Sequence, residues 1–172
     1  MGAMKASTSD FVIEQREIPE GLRLTIKGNI GDTAVFPPTP GASTKRMVVD
    51  LGGVKIVNSF GVRLWMRWVW ALEKDLPKVR IELENCPPMF VKQMLIVKNF
   101  SPQCVSVKSV LIPYYCESCS DTKYEMLTQT DPRLSMEQGE AVEAIFNSTC
   151  AKCKSEMEID MDPEMALQSF KL

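Results

Sequence analysis

The sequence changes its hydrophobic period at Ser59, and this change constrains the fold more than any other feature. Residues 47–57 form an apolar run that is rich in β-branched side chains and is broken by a Gly-Gly pair, a pattern typical of a strand with a tight loop. From Ser59 onward, apolar residues recur with helical spacing until Pro77, and residues 78–83 then alternate again. The stretch from 45 to 84 therefore predicts a β-α-β unit.

Shorter patterns place the other elements of the first two thirds of the chain. Residues 22–26 alternate between apolar and polar side chains after the turn Pro19-Glu20-Gly21, which predicts a β-hairpin. Residues 28–45 are rich in glycine and proline and predict an ordered loop. In chain order, the predicted elements are strands at 11–18 and 22–26, the loop, the β-α-β unit, a helix at 87–99 and a strand at 105–112.

Residues 48–62 read Val-Val-Asp-Leu-Gly-Gly-Val-Lys-Ile-Val-Asn-Ser-Phe-Gly-Val. This segment resembles the STAS domain, named after sulfate transporters and anti-sigma-factor antagonists, in which the matching segment ends in Asp-Ser-Ser-Gly-Leu. The resemblance covers about residues 11–112, with one departure: the family's first helix has no counterpart at 28–45. It implies an α/β fold in which a mixed sheet carries helices mainly on one face and a loop replaces the first helix.

The resemblance also implies a role for the start of the helix. Antagonists of this family are phosphorylated by a kinase/anti-sigma partner on the first serine of the motif, which matches Ser59. Here Asn58 replaces the preceding aspartate and Phe60 replaces the second serine. The residues themselves also fit a simpler interpretation, in which Asn58 or Ser59 caps the helix and Gly61 allows a close backbone approach.

One face of the predicted helix has the composition of an interface. The polar stripe Arg63, Arg67, Trp70 and Lys74 lies opposite an apolar stripe that begins at Val62. An exposed tryptophan among cations is frequent in protein interfaces, so this stripe predicts contact with an acidic partner or with a second copy of the chain. In STAS antagonists the same helix belongs to the partner surface. The alternative is that Trp70 packs against the C-terminal part of the chain.

Two Cys-x-x-Cys pairs, Cys116 with Cys119 and Cys150 with Cys153, have the spacing of zinc knuckles. Four thiolates complete a tetrahedral shell and leave no open position, so the sequence predicts a structural Zn²⁺ site. Iron, a redox couple and disulfides are the alternatives. Residues 113–172 therefore resemble a zinc ribbon with a helical insertion, and residues 10–112 form the predicted STAS-like domain.

Composition narrows the function. The chain has no histidine and a formal net charge of −2, which excludes imidazole-based catalysis and gives no general attraction to nucleic acid. No apolar run reaches about 18 residues, so we expect a cytoplasmic protein without a membrane helix. We expect a non-enzymatic module of bacterial signalling that binds a protein partner, such as a kinase/anti-sigma-like protein, or forms a homodimer. The alternative is a nucleic-acid-associated transcriptional regulator, and the sequence is silent on a small ligand.

Overall fold

The structure, a computed structural model, describes residues 5–8, 10–146 and 148–171. Within these residues it is a mixed α/β fold with two sheets and four α-helices. The strands are β1 (Lys5–Thr8), β2 (Phe11–Ile18), β3 (Gly21–Ile30), β4 (Arg46–Val57), β5 (Arg80–Glu84), β6 (Val105–Val107), β7 (Ser109–Tyr115), β8 (Thr122–Thr128), β9 (Ser148–Thr149) and β10 (Glu156–Ile159). The helices are α1 (Ser59–Asp75), α2 (Pro88–Ile96), α3 (Gln138–Phe146) and α4 (Pro163–Gln168), with short 3-10 turns at Pro132–Ser135 and Ser169–Lys171.

The first sheet has six strands in the order β1-β2-β3-β4-β5-β6. Strands β1 to β3 are antiparallel, and β3 to β6 run parallel to one another. The predicted hairpin is confirmed, because Ile18 pairs with Gly21 across a turn in which Glu20 has a positive φ of 63°. The predicted β-α-β unit is β4, α1 and β5.

The two faces of this sheet differ in character. On one face, Met47, Val49 and Leu51 of β4 are almost completely buried, in one core with the apolar side of α1. On the other face, the Arg23 guanidinium lies 3.2 Å from Asp50 and 2.7 Å from Glu84, and all three side chains are partly exposed. The helices therefore cover one face of the sheet, as predicted, and ion pairs cover the other.

The segment between β3 and β4 contains no helix and closes the core with aromatic contacts. Phe36 stacks on Trp68 with ring centroids 4.9 Å apart and meets Phe11 edge-on at 5.7 Å. The indole N–H of Trp68 donates a 3.0 Å hydrogen bond to the carbonyl of Pro37. The predicted loop thus packs on α1 and on β2, and apolar burial takes the place of a helix.

The second sheet has four strands in the order β8-β7-β10-β9. Its buried side packs on α3 and α4, and the Tyr114 hydroxyl donates a 2.7 Å hydrogen bond to the carbonyl of Ile145 in α3. Helix α3 lies in sequence between the two cysteine pairs, so the predicted helical insertion is confirmed.

One predicted element is wrong in extent. The single strand expected at 105–112 is two strands, because the chain changes sheets at Lys108. The Lys108 N–H donates to Leu83 in the first sheet at 2.7 Å, and its carbonyl accepts from Gln129, next to β8, at 2.8 Å. A bridge between Cys86 and Val110 also links the two parts.

The division of the chain into residues 10–112 and 113–172 stays a prediction, and its boundary falls inside β7. Buried side chains of both sheets belong to one continuous core, so the C-terminal part packs on the rest of the fold. Among the described residues, none of the helices is both long and apolar enough to cross a membrane.

Candidate metal centre and helix surface

The structure brings the four predicted cysteine ligands together. The Sγ atoms of Cys116, Cys119, Cys150 and Cys153 all lie within 4.8 Å of one another. The Sγ atoms of Cys116 and Cys153 are 3.4 Å apart and those of Cys119 and Cys150 are 3.6 Å apart, so none of these contacts is a disulfide bond. The arrangement can bind a metal ion.

The two cysteine pairs lie on turns with the same backbone conformation, which we call the knuckles. In each knuckle the first cysteine donates its N–H to the carbonyl five residues on, at 2.9 Å. The residue after the second cysteine, Ser120 or Lys154, has a positive φ of 55° or 65° and donates its N–H back to the first cysteine. This repeated tight turn explains why two residues between the cysteines suffice to direct both thiols to one point.

The knuckles are joined to each other and partly sealed. The Lys152 ammonium of the second knuckle donates a 2.6 Å hydrogen bond to Asp121 of the first. Cys116 and Cys150 are buried, whereas Cys119 and Cys153 are exposed. Half of the sulfur shell therefore faces the protein and half faces solvent.

The surroundings of the sulfurs shift the cysteine pKa values in opposite directions in the two knuckles. The backbone N–H of Cys153 lowers the pKa of Cys150, and that of Ser155 lowers the pKa of Cys153 to about 6. In the first knuckle burial raises the pKa of Cys116, and the hydrogen bond with Cys150 raises the pKa of Cys119 to about 12. Four adjacent thiolates repel one another, which opposes deprotonation of all four cysteines. A bound cation would offset this repulsion.

The first residues of α1 were interpreted either as a helix cap or as a phosphorylation motif, and the structure shows the cap. Asn58 is the N-cap, since its side-chain oxygen accepts the N–H of Gly61 at 2.9 Å. A Cβ atom at Gly61 would collide with the carbonyl oxygen of Ile30 in β3, so glycine is needed there for the close approach. Ser59 is the exposed first residue of the helix, and its phosphorylation stays a prediction.

All four residues of the predicted surface stripe, Arg63, Arg67, Trp70 and Lys74, are exposed on α1. Within the described part of the chain, the three cations of this stripe form no ion pair with any carboxylate. The Arg63 guanidinium lies over the Phe60 ring, 4.6 Å from its centroid. The stripe therefore presents positive charge that the fold does not neutralise.

Trp70 contacts the segment that follows α2. Its indole N–H donates a 3.0 Å hydrogen bond to the carbonyl of Asn99, in the segment after α2, and 42% of the residue stays exposed. The alternative prediction was that this ring packs against the C-terminal part, whereas its hydrogen bond goes to Asn99, which lies before that part. Trp70 is thus anchored at its nitrogen and open at part of its ring.

Sequence reasoning missed two exposed apolar side chains beside the helix start. Ile56, near the end of β4, and Phe60 are each 54% exposed. The signal was present at Phe60, where the STAS motif has serine.

The two remaining cysteines lie outside the metal centre: Cys86 is buried, and burial raises the pKa of the half-buried Cys104 to about 11.

Comparisons of the chain with protein families, with curated proteins and with solved structures found no match.

Proposed function

We propose that the protein is a non-enzymatic protein-binding module whose STAS-like domain uses the N-terminal half of α1 to bind an acidic partner, and whose four cysteines hold a structural Zn²⁺ ion. The observation that carries the proposal is the unneutralised stripe on α1 beside exposed Ile56 and Phe60. Exposed apolar side chains, one of them in contact with the Arg63 guanidinium, fit a partner surface that combines apolar and acidic side chains.

The STAS-like part of the proposal is supported by the order of elements. A β-hairpin leads into parallel strands, and α1 begins directly after β4 at the residue that matches the family's phosphorylated serine. Asn58 performs the capping role that the family's aspartate could also perform, because both side chains offer an oxygen to the N–H groups of the first turn.

Ser59 is a suitable position for a regulatory phosphate in the proposal. It is exposed at the positive end of a 17-residue helix with no acidic residue in the first turn. A phosphate there would add negative charge one turn from Arg63 and would change the charge that the surface offers to an acidic partner.

Zinc is the proposed metal because four thiolates are its common structural ligand set. A Zn–S bond of about 2.3 Å in a tetrahedron places sulfurs about 3.8 Å apart. The 3.4 Å and 3.6 Å contacts need only small movements to reach that spacing. Elemental analysis of the purified protein distinguishes zinc from iron, and the proposal expects one zinc per chain.

The partner-binding proposal is tested by affinity capture from the native host. The bait carries Arg63→Glu together with Arg67→Glu, and we expect it to lose partners that the unaltered protein retains, because the surface then repels an acidic partner. Lys92→Glu, an exposed lysine on α2, is the matched control and should retain them.

Ser59→Asp and Ser59→Ala are captured in parallel. A switch requires that Ser59→Asp lose partners that Ser59→Ala keeps. If the double arginine variant binds every partner as tightly as the control variant, α1 is not the binding surface.

A further inference from the structure

Among the described residues, strand β8 is an edge of the second sheet and pairs with a neighbouring strand, β7, on one side only. The ladder to β7 pairs Cys116 with Asp121 and Lys108 with Gln129 through hydrogen bonds that bracket the strand. Because hydrogen-bonded pairs alternate in an antiparallel ladder, Lys123, Glu125 and Leu127 direct their N–H and C=O groups to β7. Thr122, Tyr124 and Met126 direct theirs outward from the sheet.

The outward-directed residues also carry exposed side chains. Tyr124 is 61% exposed and Met126 is 52% exposed, and both lie on the face of the sheet opposite α3 and α4. Tyr115 of β7, opposite Thr122 in the register, is 41% exposed on the same face. An edge strand presents a row of N–H and C=O groups that can pair with another strand.

The sequence of β8 is complementary to itself in the antiparallel direction. When two copies pair so that Tyr124 lies opposite Tyr124 of the second copy, Lys123 of each copy lies directly opposite Glu125 of the other. These oppositions fall at the positions without inter-copy hydrogen bonds, where side chains are closest. Thr122 then lies opposite Met126.

In this register the backbone groups also match. The outward N–H and C=O groups of Thr122, Tyr124 and Met126 meet the same groups of the second copy and form about six hydrogen bonds. The side chains of Lys123 and Glu125 are 44% and 32% exposed, so both are accessible to the second copy. Within its own chain, Lys123 lies 3.8 Å from Glu125 and donates a 3.2 Å hydrogen bond to the Ser148 hydroxyl, and Glu125 lies 2.9 Å from Arg133. The pairing adds the opposite charge of the second copy to these contacts.

We propose that two copies of the protein associate through antiparallel pairing of their β8 strands, which joins the two four-stranded sheets into one continuous sheet of eight strands. The occupant of the edge is a second copy because the alternating Lys123 and Glu125 and the central Tyr124 complement themselves. This surface is distinct from α1, so the dimer would leave the proposed partner surface free.

The test combines sedimentation analysis of the full chain with exchanged charges. We expect a monomer–dimer equilibrium for the unaltered protein. Lys123→Glu and Glu125→Lys should each weaken the dimer at least about tenfold, because each places like charges opposite one another twice. An equimolar mixture of the two variants restores both opposite-charge pairs and should restore the dimer.

Hydrogen exchange on the unaltered protein gives a second readout that does not depend on a variant folding. The amide protons of Tyr124 and Met126 should exchange more slowly as protein concentration rises, whereas those of Lys123 and Glu125, bonded to β7, should not change. A protein that stays monomeric, a mixture that fails to restore the dimer, or a concentration-independent Tyr124 amide would each overturn the proposal.

Discussion

Replacing Asn58 by alanine isolates the role of the first residues of α1. The change removes the acceptor 2.9 Å from the Gly61 N–H and leaves a first-turn donor without its intrachain partner. The loss of such a cap costs about 1 kcal/mol of unfolding free energy. For a chain of this length, that corresponds to a fall in Tm of about 2–4 °C. Urea unfolding followed by circular dichroism measures the free energy directly.

Two further substitutions make the interpretation of Asn58→Ala specific. Asn58→Asp keeps the acceptor and adds negative charge at the positive end of the helix, so it should be at least as stable as the unaltered protein. Ser59→Ala removes an exposed hydroxyl that is not the cap and should change stability by less than about 0.5 kcal/mol. If Ser59→Ala destabilises as much as Asn58→Ala, the assignment of the cap is wrong and Ser59 has the structural role.

Three other changes test the remaining features. Cys119→Ser should reduce bound metal well below one ion per chain, measured by elemental analysis, because the ion loses one of its four thiolates. Phe36→Ala should cost about 3 kcal/mol in urea unfolding, because it removes the stack on Trp68. Burial raises the pKa of Asp50, but hydrogen bonds from Asn85, the Gly52 N–H and Arg23 outweigh burial and lower it. The stabilisation by ionised Asp50 is present above about pH 4 and is lost as pH falls through the pKa of Asp50 in the folded protein. The difference in free energy of unfolding between the unaltered protein and Asp50→Asn should therefore shrink in acid.

Local signals explain which parts of the fold could be predicted from the sequence. The period change at Ser59, the stop at Pro77 and the repeated cysteine spacing each act within a few residues of the structure they specify. The start of α1 at Ser59 and the convergence of four thiols follow from them. The hairpin of β2 and β3 was also encoded locally, by its alternation and its turn.

Features set by distant partners could not be read in the same way. The alternation of residues 105–112 breaks at the adjacent polar residues Lys108 and Ser109, but this break does not by itself show a change of sheet. The change depends on the hydrogen bonds that join Lys108 to Leu83 and to Gln129. The aromatic contacts of Phe36 depend on how the 31–45 segment crosses α1. The ion pairs of Arg23 join three strands, and carboxylates scattered along the sequence gave no sign of this arrangement.

Because the chain changes sheets at a single residue, Lys108, no flexible linker separates the metal centre from the first sheet. From Lys108 to Cys116 the chain is an almost uninterrupted strand, about 27 Å long at the usual rise per residue. One end of this strand carries a thiol of the metal centre, and the N–H at the other end donates to the carbonyl of Leu83 in β5, the strand next to the edge of the six-stranded sheet. A pull or twist applied at the metal end is therefore delivered to β5 without a hinge to absorb it.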